Sequence, residues 1–288
     1  GLFLDEKWEG DGLKIKEVIK RGPFAVKKTG VKPGDIIESI DGVKILASAD
    51  YNALLDGKAG KPVRIGVKGK KEDIIVKPIS SGELEELLYK RWVDRNRAFV
   101  DSISGGRIAY VHVKAMDSES FRKVYEELLS ESNRNRDAVV VDERHNGGGW
   151  LHDDLCTLLA GKEYQQFVPR DKYIGRDPYN KWTKPSCVLI CEDDYSNGHG
   201  FPWVYKELGI GKLIGTPVAG TMTAVWWERL MDSSLVFGIP QVGCRDMRGV
   251  YGENTTLNPD IEVYNTPEDY INGYDRQLER AVREMMKK

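Results

Sequence analysis

With 288 residues, 40% hydrophobic and 31% charged, the chain is too apolar for a disordered polymer and long enough for two domains of roughly 100 to 200 residues each. Lys and Arg number 43 against 45 Asp and Glu, and the net charge of −2 provides no general attraction to nucleic acid or an anionic membrane. The longest apolar run falls far short of the ~18 residues of a spanning helix, and no basic segment followed by an apolar one opens the chain, so it reads as soluble, with its compartment open between cytoplasm and periplasm. Of the four cysteines, Cys187 and Cys191 share one strand-like run, where their Cα atoms would lie about 13 Å apart, beyond disulfide reach. Cys156 and Cys244 have no partner that spacing identifies, and no CxxC occurs, so buried free thiols are expected.

Residues 1–79 read as short strands joined by turns. Leu13-Lys-Ile-Lys-Glu-Val-Ile19, Pro62-Val-Arg-Ile-Gly-Val-Lys68 and Asp73-Ile-Ile-Val-Lys77 alternate with period two, and one helix capped by Ser48 carries Tyr51, Leu54 and Leu55. Gly30-Val-Lys-Pro-Gly-Asp-Ile-Ile-Glu-Ser-Ile-Asp-Gly-Val43 places two turn signals, Pro33-Gly34 and Asp41-Gly42, around a strand. This pattern resembles the middle of a PDZ domain. The resemblance implies that Gly1-Leu-Phe-Leu4 borders a groove accepting peptide termini by β-augmentation; a purely structural β-rich domain is the competing reading.

A capping box at Ser80 and Glu83, followed by Leu84, Leu87, Leu88 and Trp92 at helical spacing, predicts a connecting helix near 80–100 that opens a second domain, 80–288. From there strands and helices alternate. Strand Ile108–Val113 precedes a helix with Phe121, Val124, Tyr125, Leu128 and Leu129 on one face, then strand Ala138–Asp142, a glycine loop and a helix with Leu151, Leu155, Leu158 and Leu159. Strand Cys187–Cys191 and a helix around Trp203 to Leu208 follow. The fold class is α/β: a small PDZ-like barrel, then a mostly parallel sheet covered by helices, with its chemistry where strands end and helices begin.

Two strand-to-helix turns stand out. In Val141-Asp-Glu-Arg-His-Asn-Gly-Gly-Gly-Trp150, three glycines let the backbone approach a ligand and aim amides at one point beside a helix N-terminus. Neither GxxxxGK[ST] nor GxGxxG fits, so an oxyanion hole matches better than a phosphate site. In Asp193-Asp-Tyr-Ser-Asn-Gly-His-Gly-Phe-Pro202, Ser196 sits where a nucleophile elbow would present it, although the segment is not GxSxG. On these residues alone, helix cap and nucleophile are equal readings.

Resemblance over nearly the whole second domain separates them. Lys90-Arg-Trp-Val-Asp-Arg-Asn-Arg97, Gly106-Arg-Ile-Ala-Tyr-Val-His112, Asp142 to Gly149, Leu208-Gly-Ile-Gly-Lys-Leu-Ile-Gly-Thr216, Gly252-Glu-Asn through Glu262 and Asp275 to Ala281 resemble, in order and spacing, the tricorn protease family and its tail-specific relatives. Ser196-Asn-Gly-His-Gly-Phe201 aligns without gaps on that family's Ser-Asp-Gly-Asp-x-Phe segment. The resemblance implies a serine peptidase in which Ser196 is the nucleophile, the amides of Asn197, Gly148 and Gly147 hold the oxyanion, and Glu253 orients the machinery, with no metal or organic cofactor. Implied partners are peptide or unfolded-protein substrates and further copies of the chain, with no nucleic acid.

The departures are as informative. Asn197 and His199 replace aspartates and Thr256 a glycine. Residues 215–223 hold no lysine for the Ser-Lys pair of the tail-specific branch. The family's histidine precedes the PDZ domain, so the base is expected from an N-terminal segment outside this chain. His199 and His145 are the local substitutes. His112 reads as a packed strand residue, His152 as solvated, and a metal site from His152, Asp153, Asp154 and Asp193 is disfavoured because adjacent acids on a helix point apart. The alternative function is a peptide-binding PDZ module with a lapsed peptidase-like domain.

Overall fold

The structure, a computed structural model, describes residues 1–287, which form two compact units dividing after Arg95. The first unit holds six antiparallel strands: β1 (Leu2–Leu4), β2 (Leu13–Val18), β3 (Ile36–Ile40), β4 (Val43–Lys44), β5 (Val63–Val67) and β6 (Ile74–Val76). Their order is β1-β2-β3-β5-β6, with β4 hairpinned onto β3. Period-two alternation buries Val63, Ile65 and Val67, which share one core with Ile15 and, on either side of a register shift in β3, Ile37 and Ile40. Asp41 and Gly42 both take positive φ (50° and 83°), the two-residue turn that matches strand twist. The predicted Ser48-capped helix is a single 3-10 turn, Tyr51–Leu54, and its cap is Asp50, whose carboxylate accepts from the Asn52 amide; Ser48 lies two residues before that cap. β1 pairs only with β2, which leaves its outer edge open.

The Ser80–Glu83 capping box forms in both directions, with Ser80 N–H donating to Glu83 and Glu83 N–H to the Ser80 hydroxyl (2.8 and 3.3 Å), and starts helix α1 (Ser81–Ser104). The second unit, from Asn96 onward, then alternates as expected: β7 (Ile108–His112), α2 (Ser118–Leu128), the short α3 (Glu131–Arg134), β8 (Ala138–Asp142) and α4 (His152–Leu159). A hairpin of β9 (Gln165–Phe167) and β10 (Gly175–Asp177) intervenes before β11 (Ser186–Ile190), α5 (Asn197–Glu207) and β12 (Lys212–Gly215). A second hairpin, β13 (Ala224–Arg229) with β14 (Val236–Val242), leads to β15 (Ile261–Glu262), α6 (Pro267–Asn272) and α7 (Arg276–Met285).

The central sheet runs β15-β12-β11-β8-β7, and every pairing in it is parallel. β7, β8 and β11 are buried along their whole length, as strands covered on both faces must be. Val111, Val139, Val141, Val188 and Ile190 share one core with side chains of α2, α4 and α5, while α7 packs on β8, β11 and β12. α5 begins at Asn197, directly after Ser196 and six residues before Trp203, and runs through Pro202. All four cysteines are free thiols. Trp226 and Trp227 stand 58% and 66% exposed on the β13–β14 hairpin, so neither fills the core. Among the described residues no helix is long and apolar enough to cross a membrane.

Candidate active site

β8 and β11 are parallel neighbours, with Cys187 opposite Val140, so the chain leaves both at the same end of the sheet. The two turns that follow are bonded to each other. Tyr195 N–H donates to the Asn146 carbonyl (2.9 Å), Asn146 N–H to the Asp194 carboxylate (3.2 Å) and His145 N–H to Cys191 Sγ (3.2 Å). The glycine loop is held from its far side as well, since Met116 N–H donates to the Gly148 carbonyl (3.0 Å) and Trp150 N–H to that of Met116 (2.7 Å).

Ser196 occupies the junction between β11 and α5 with φ 56° and ψ −118°. A residue with a Cβ adopts this region at a cost of roughly 1–3 kcal/mol and only where its surroundings impose it. The same strained strand-to-helix turn exposes the nucleophile of hydrolase elbows. Here the Ser196 amide donates to Thr221 Oγ1 (3.1 Å), whereas its half-buried hydroxyl makes no hydrogen bond to any described residue.

Gly148 lies directly against this turn. A Cβ built on it would fall 2.6 Å from Ser196 Cβ, 2.7 Å from the Tyr195 carbonyl oxygen and 3.0 Å from the Asn197 nitrogen. The first amide of α5, that of Asn197, has no acceptor among the described residues, as expected for an orphan donor at a helix start. The Gly147 amide is likewise free, while Gly148 N–H donates to Asn146 Oδ1 (2.9 Å). The Asn197 side chain is committed elsewhere. Its Oδ1 accepts from the amides of Leu151 and His152 (2.8 and 3.1 Å) and so caps α4, and its Nδ2 donates to His152 Nδ1 (2.9 Å).

The segment 221–223 joins Ser196 to Glu253. Thr223 N–H donates to the Glu253 carboxylate (2.7 Å), and the Thr223 hydroxyl, its amide and that of Met222 hold this carboxyl below its ordinary range. His199, one turn into α5, is 1% exposed, and neither ring nitrogen has a hydrogen-bond partner among the described residues. Burial lowers its pKa against the opposing pull of Glu253, which keeps the imidazole neutral at neutral pH. Beside it lies a cavity of about 280 Å³ walled by His199, Trp203, Met222, Tyr251, Gly252 and Leu257, among others.

The other histidines divide clearly. His145, at φ 68°, is exposed and paired through Nδ1 with Asp193 (2.9 Å). His112 is a packed strand residue bonded to the Arg144 carbonyl (3.3 Å). His152 is not solvated but half-buried, bonded to Asn197 and edge-on to Trp150, because the α4 N-terminus is drawn onto α5. Asn146, Thr221 and Thr223, which sequence reasoning passed over, lock the three segments together; only the Asn-Gly step at 146–147 carried a local signal.

Beneath the two turns, Glu143 is fully buried and neither carboxyl oxygen has a partner among the described residues. Burial, with Asp194 and Asp142 nearby, raises its pKa well above the ordinary value, and burial also pushes Asp194 up to about 8. Such carboxyls hold protons more tightly folded than unfolded. Their contribution to stability is therefore complete below about pH 4 and lost as pH rises toward 8. Glu143→Met, which removes two unpaired buried oxygens at similar length, should raise stability by about 1–3 kcal/mol at neutral pH. Urea unfolding from pH 5 to 8 should show the gap between variant and wild type widening; a constant or shrinking gap would refute this account.

A PDZ-type β unit followed by a parallel α/β unit with a strained serine elbow defines a hydrolase-type architecture. Residues 107–263 match the model of peptidase family S41, and residues 11–81 match the tricorn protease PDZ domain. The chain belongs to peptidase family S41, a family of serine peptidases. It is 30% identical over 258 residues to the tricorn protease of Thermoplasma acidophilum, an alignment covering 88% of this chain and 24% of that protein. It is 30% identical over 267 residues to tricorn protease homolog 1 of Streptomyces coelicolor, covering 91% of this chain and 25% of that one. The crystal structure of the tricorn protease superposes with a TM-score of 0.86 at 26% identity, over 99% of this chain and 28% of that one. The chain thus spans about a quarter of the length of these relatives.

Proposed function

We propose that this chain hydrolyses peptide bonds through an acyl-enzyme on Ser196, with residues 80–288 as the catalytic domain and residues 1–79 docking peptide termini along the open edge of β1. The observation that carries this is the strained, unpartnered Ser196 held against the glycine loop. Ser196 Oγ attacks the carbonyl carbon and gives its proton to a base. The oxyanion forms at the Asn197 and Gly147 amides, joined by that of Gly148 once Asn146 yields it, at the positive end of α5. Collapse expels the amine, protonated by the same base, and water then frees the acyl group. Glu253, fixed by Thr223, orients the machinery.

Two facts support a base supplied from outside the chain. The Ser196 hydroxyl has no imidazole partner here, and the relatives are about four times longer. His145, already oriented by Asp193, and His199 are the substitutes that would serve in its place. By family resemblance the working assembly is a homo-oligomer. The same unpartnered hydroxyl also favours the second reading, a peptide-binding module whose peptidase domain has lapsed. Fluorophosphonate labelling, mapped by peptide mass spectrometry, should modify Ser196 in this chain or in a version extended upstream. Absence of labelling in both, with peptide binding retained, would establish the lapsed reading instead.

A further inference from the structure

At the outer side of the two turns, three side chains of different chemistry converge: His145 from the glycine loop, Cys191 from the end of β11 and Asp193 two residues later. Their ligand atoms all lie within 4.8 Å of one another, with His145 Nδ1 2.9 Å from Asp193 Oδ2 and 3.8 Å from Cys191 Sγ. We infer that this cluster is a binding site for a divalent transition metal of the zinc type. Bonds of about 2.3 Å to a thiolate and about 2.0–2.2 Å to nitrogen and oxygen require ligand atoms roughly 3.3–3.6 Å apart in a tetrahedron; the two stated separations reach this with shifts of up to about half an ångström, and the Cys191–Asp193 separation, within 4.8 Å, closes by at most about 1.5 Å. One nitrogen, one sulfur and one oxygen suit zinc and its neighbours rather than magnesium or calcium, which take oxygens.

Two further features belong to a ligand site. The His145 amide donates to Cys191 Sγ at 3.2 Å, a contact that stabilises negative charge on the sulfur. His145 is held by a left-handed backbone (φ 68°), which aims its imidazole back toward Asp193. In the metal-free chain Cys191 is a thiol donating to Asp194 Oδ1 (3.6 Å) and, buried beside that carboxyl, resists ionisation. Binding therefore breaks the S–H bond, forms a metal–sulfur bond and releases one proton to solvent. The fourth position faces outward, since His145 and Asp193 are both exposed. The ion would tie the glycine loop to the end of β11, and with it the two turns that carry Ser196 and the oxyanion donors.

The test is titration of the chelator-treated full chain with Co²⁺, which reports thiolate ligation by a charge-transfer band in the near ultraviolet. One equivalent should saturate the band, and Zn²⁺ should abolish it by competition. Cys191→Ser should eliminate it, and His145→Ala and Asp193→Ala, both exposed and safe for the fold, should each weaken binding at least about tenfold. Cys244→Ser should leave it intact. No saturable band, or a band that survives Cys191→Ser or is indifferent to both His145→Ala and Asp193→Ala, overturns the site. Because the readout is spectroscopic, the outcome does not depend on peptidase activity.

Discussion

Gly148→Ala is expected to reduce fluorophosphonate labelling of Ser196 at least about a hundredfold, in whichever version of the protein labels. Removal of a single oxyanion donor costs on the order of 10²–10³, and this substitution moves more than one. The added methyl would meet Ser196 Cβ at 2.6 Å and the Tyr195 carbonyl at 2.7 Å, both part of the packed turn rather than ends of flexible side chains. Relief requires the glycine loop and the elbow to separate. Backbone strain compounds the clash, since Gly148 sits at φ 92°, where a residue with a Cβ costs roughly 1–3 kcal/mol. Gly147→Ala is the matched control. A Cβ there meets nothing within 4 Å, so labelling should stay within a few-fold of wild type. Labelling rates and urea midpoints for both variants decide the matter. A Gly148→Ala protein that labels at the wild-type rate would show that loop and serine do not act together.

Turnover should discriminate as sharply. A version extended upstream through the segment before the PDZ domain should hydrolyse peptides, and Ser196→Ala should lower its turnover by about 10⁴–10⁶, the loss typical of one member of a cooperating set. The chain alone should turn over slowly, because serine without a base is a weak nucleophile. Ser196→Ala should therefore change the chain alone far less than the extended version. Strong activity of the chain alone, abolished by His145→Ala or His199→Ala, would move the base into this sequence and refute its external supply.

Much of this architecture was legible from periodicity. Period-two runs and the two-residue turn at Asp41-Gly42 announce the first unit, and the near-continuous apolar runs at 108–113, 138–141 and 187–190 announce a parallel sheet. Parallel strand direction then places both loops at one sheet end. What stayed hidden depends on contacts between residues distant in sequence. Nothing near Asn197 signals that its side chain caps a helix starting some 45 residues earlier. The acids weighed as ligands on α4 scatter, whereas His145 meets Cys191 and Asp193 across 46 and 48 positions. The hairpins β9–β10 and β13–β14 lie outside the main sheet, where packing does not impose a clean alternation.

The double use of Asn197 has an electrostatic consequence. Two amides pointing at Oδ1 fix which end of the side chain is oxygen, so the group facing His152 Nδ1 is an NH₂ and the imidazole must present a lone pair there. An aspartate at this position could accept the same two amides but would demand a proton on Nδ1. This chain makes the cap with an amide in place of a carboxylate. The first turn of α5 therefore carries no fixed anion, and the positive end of the helix is left uncompensated by any acidic side chain of its own.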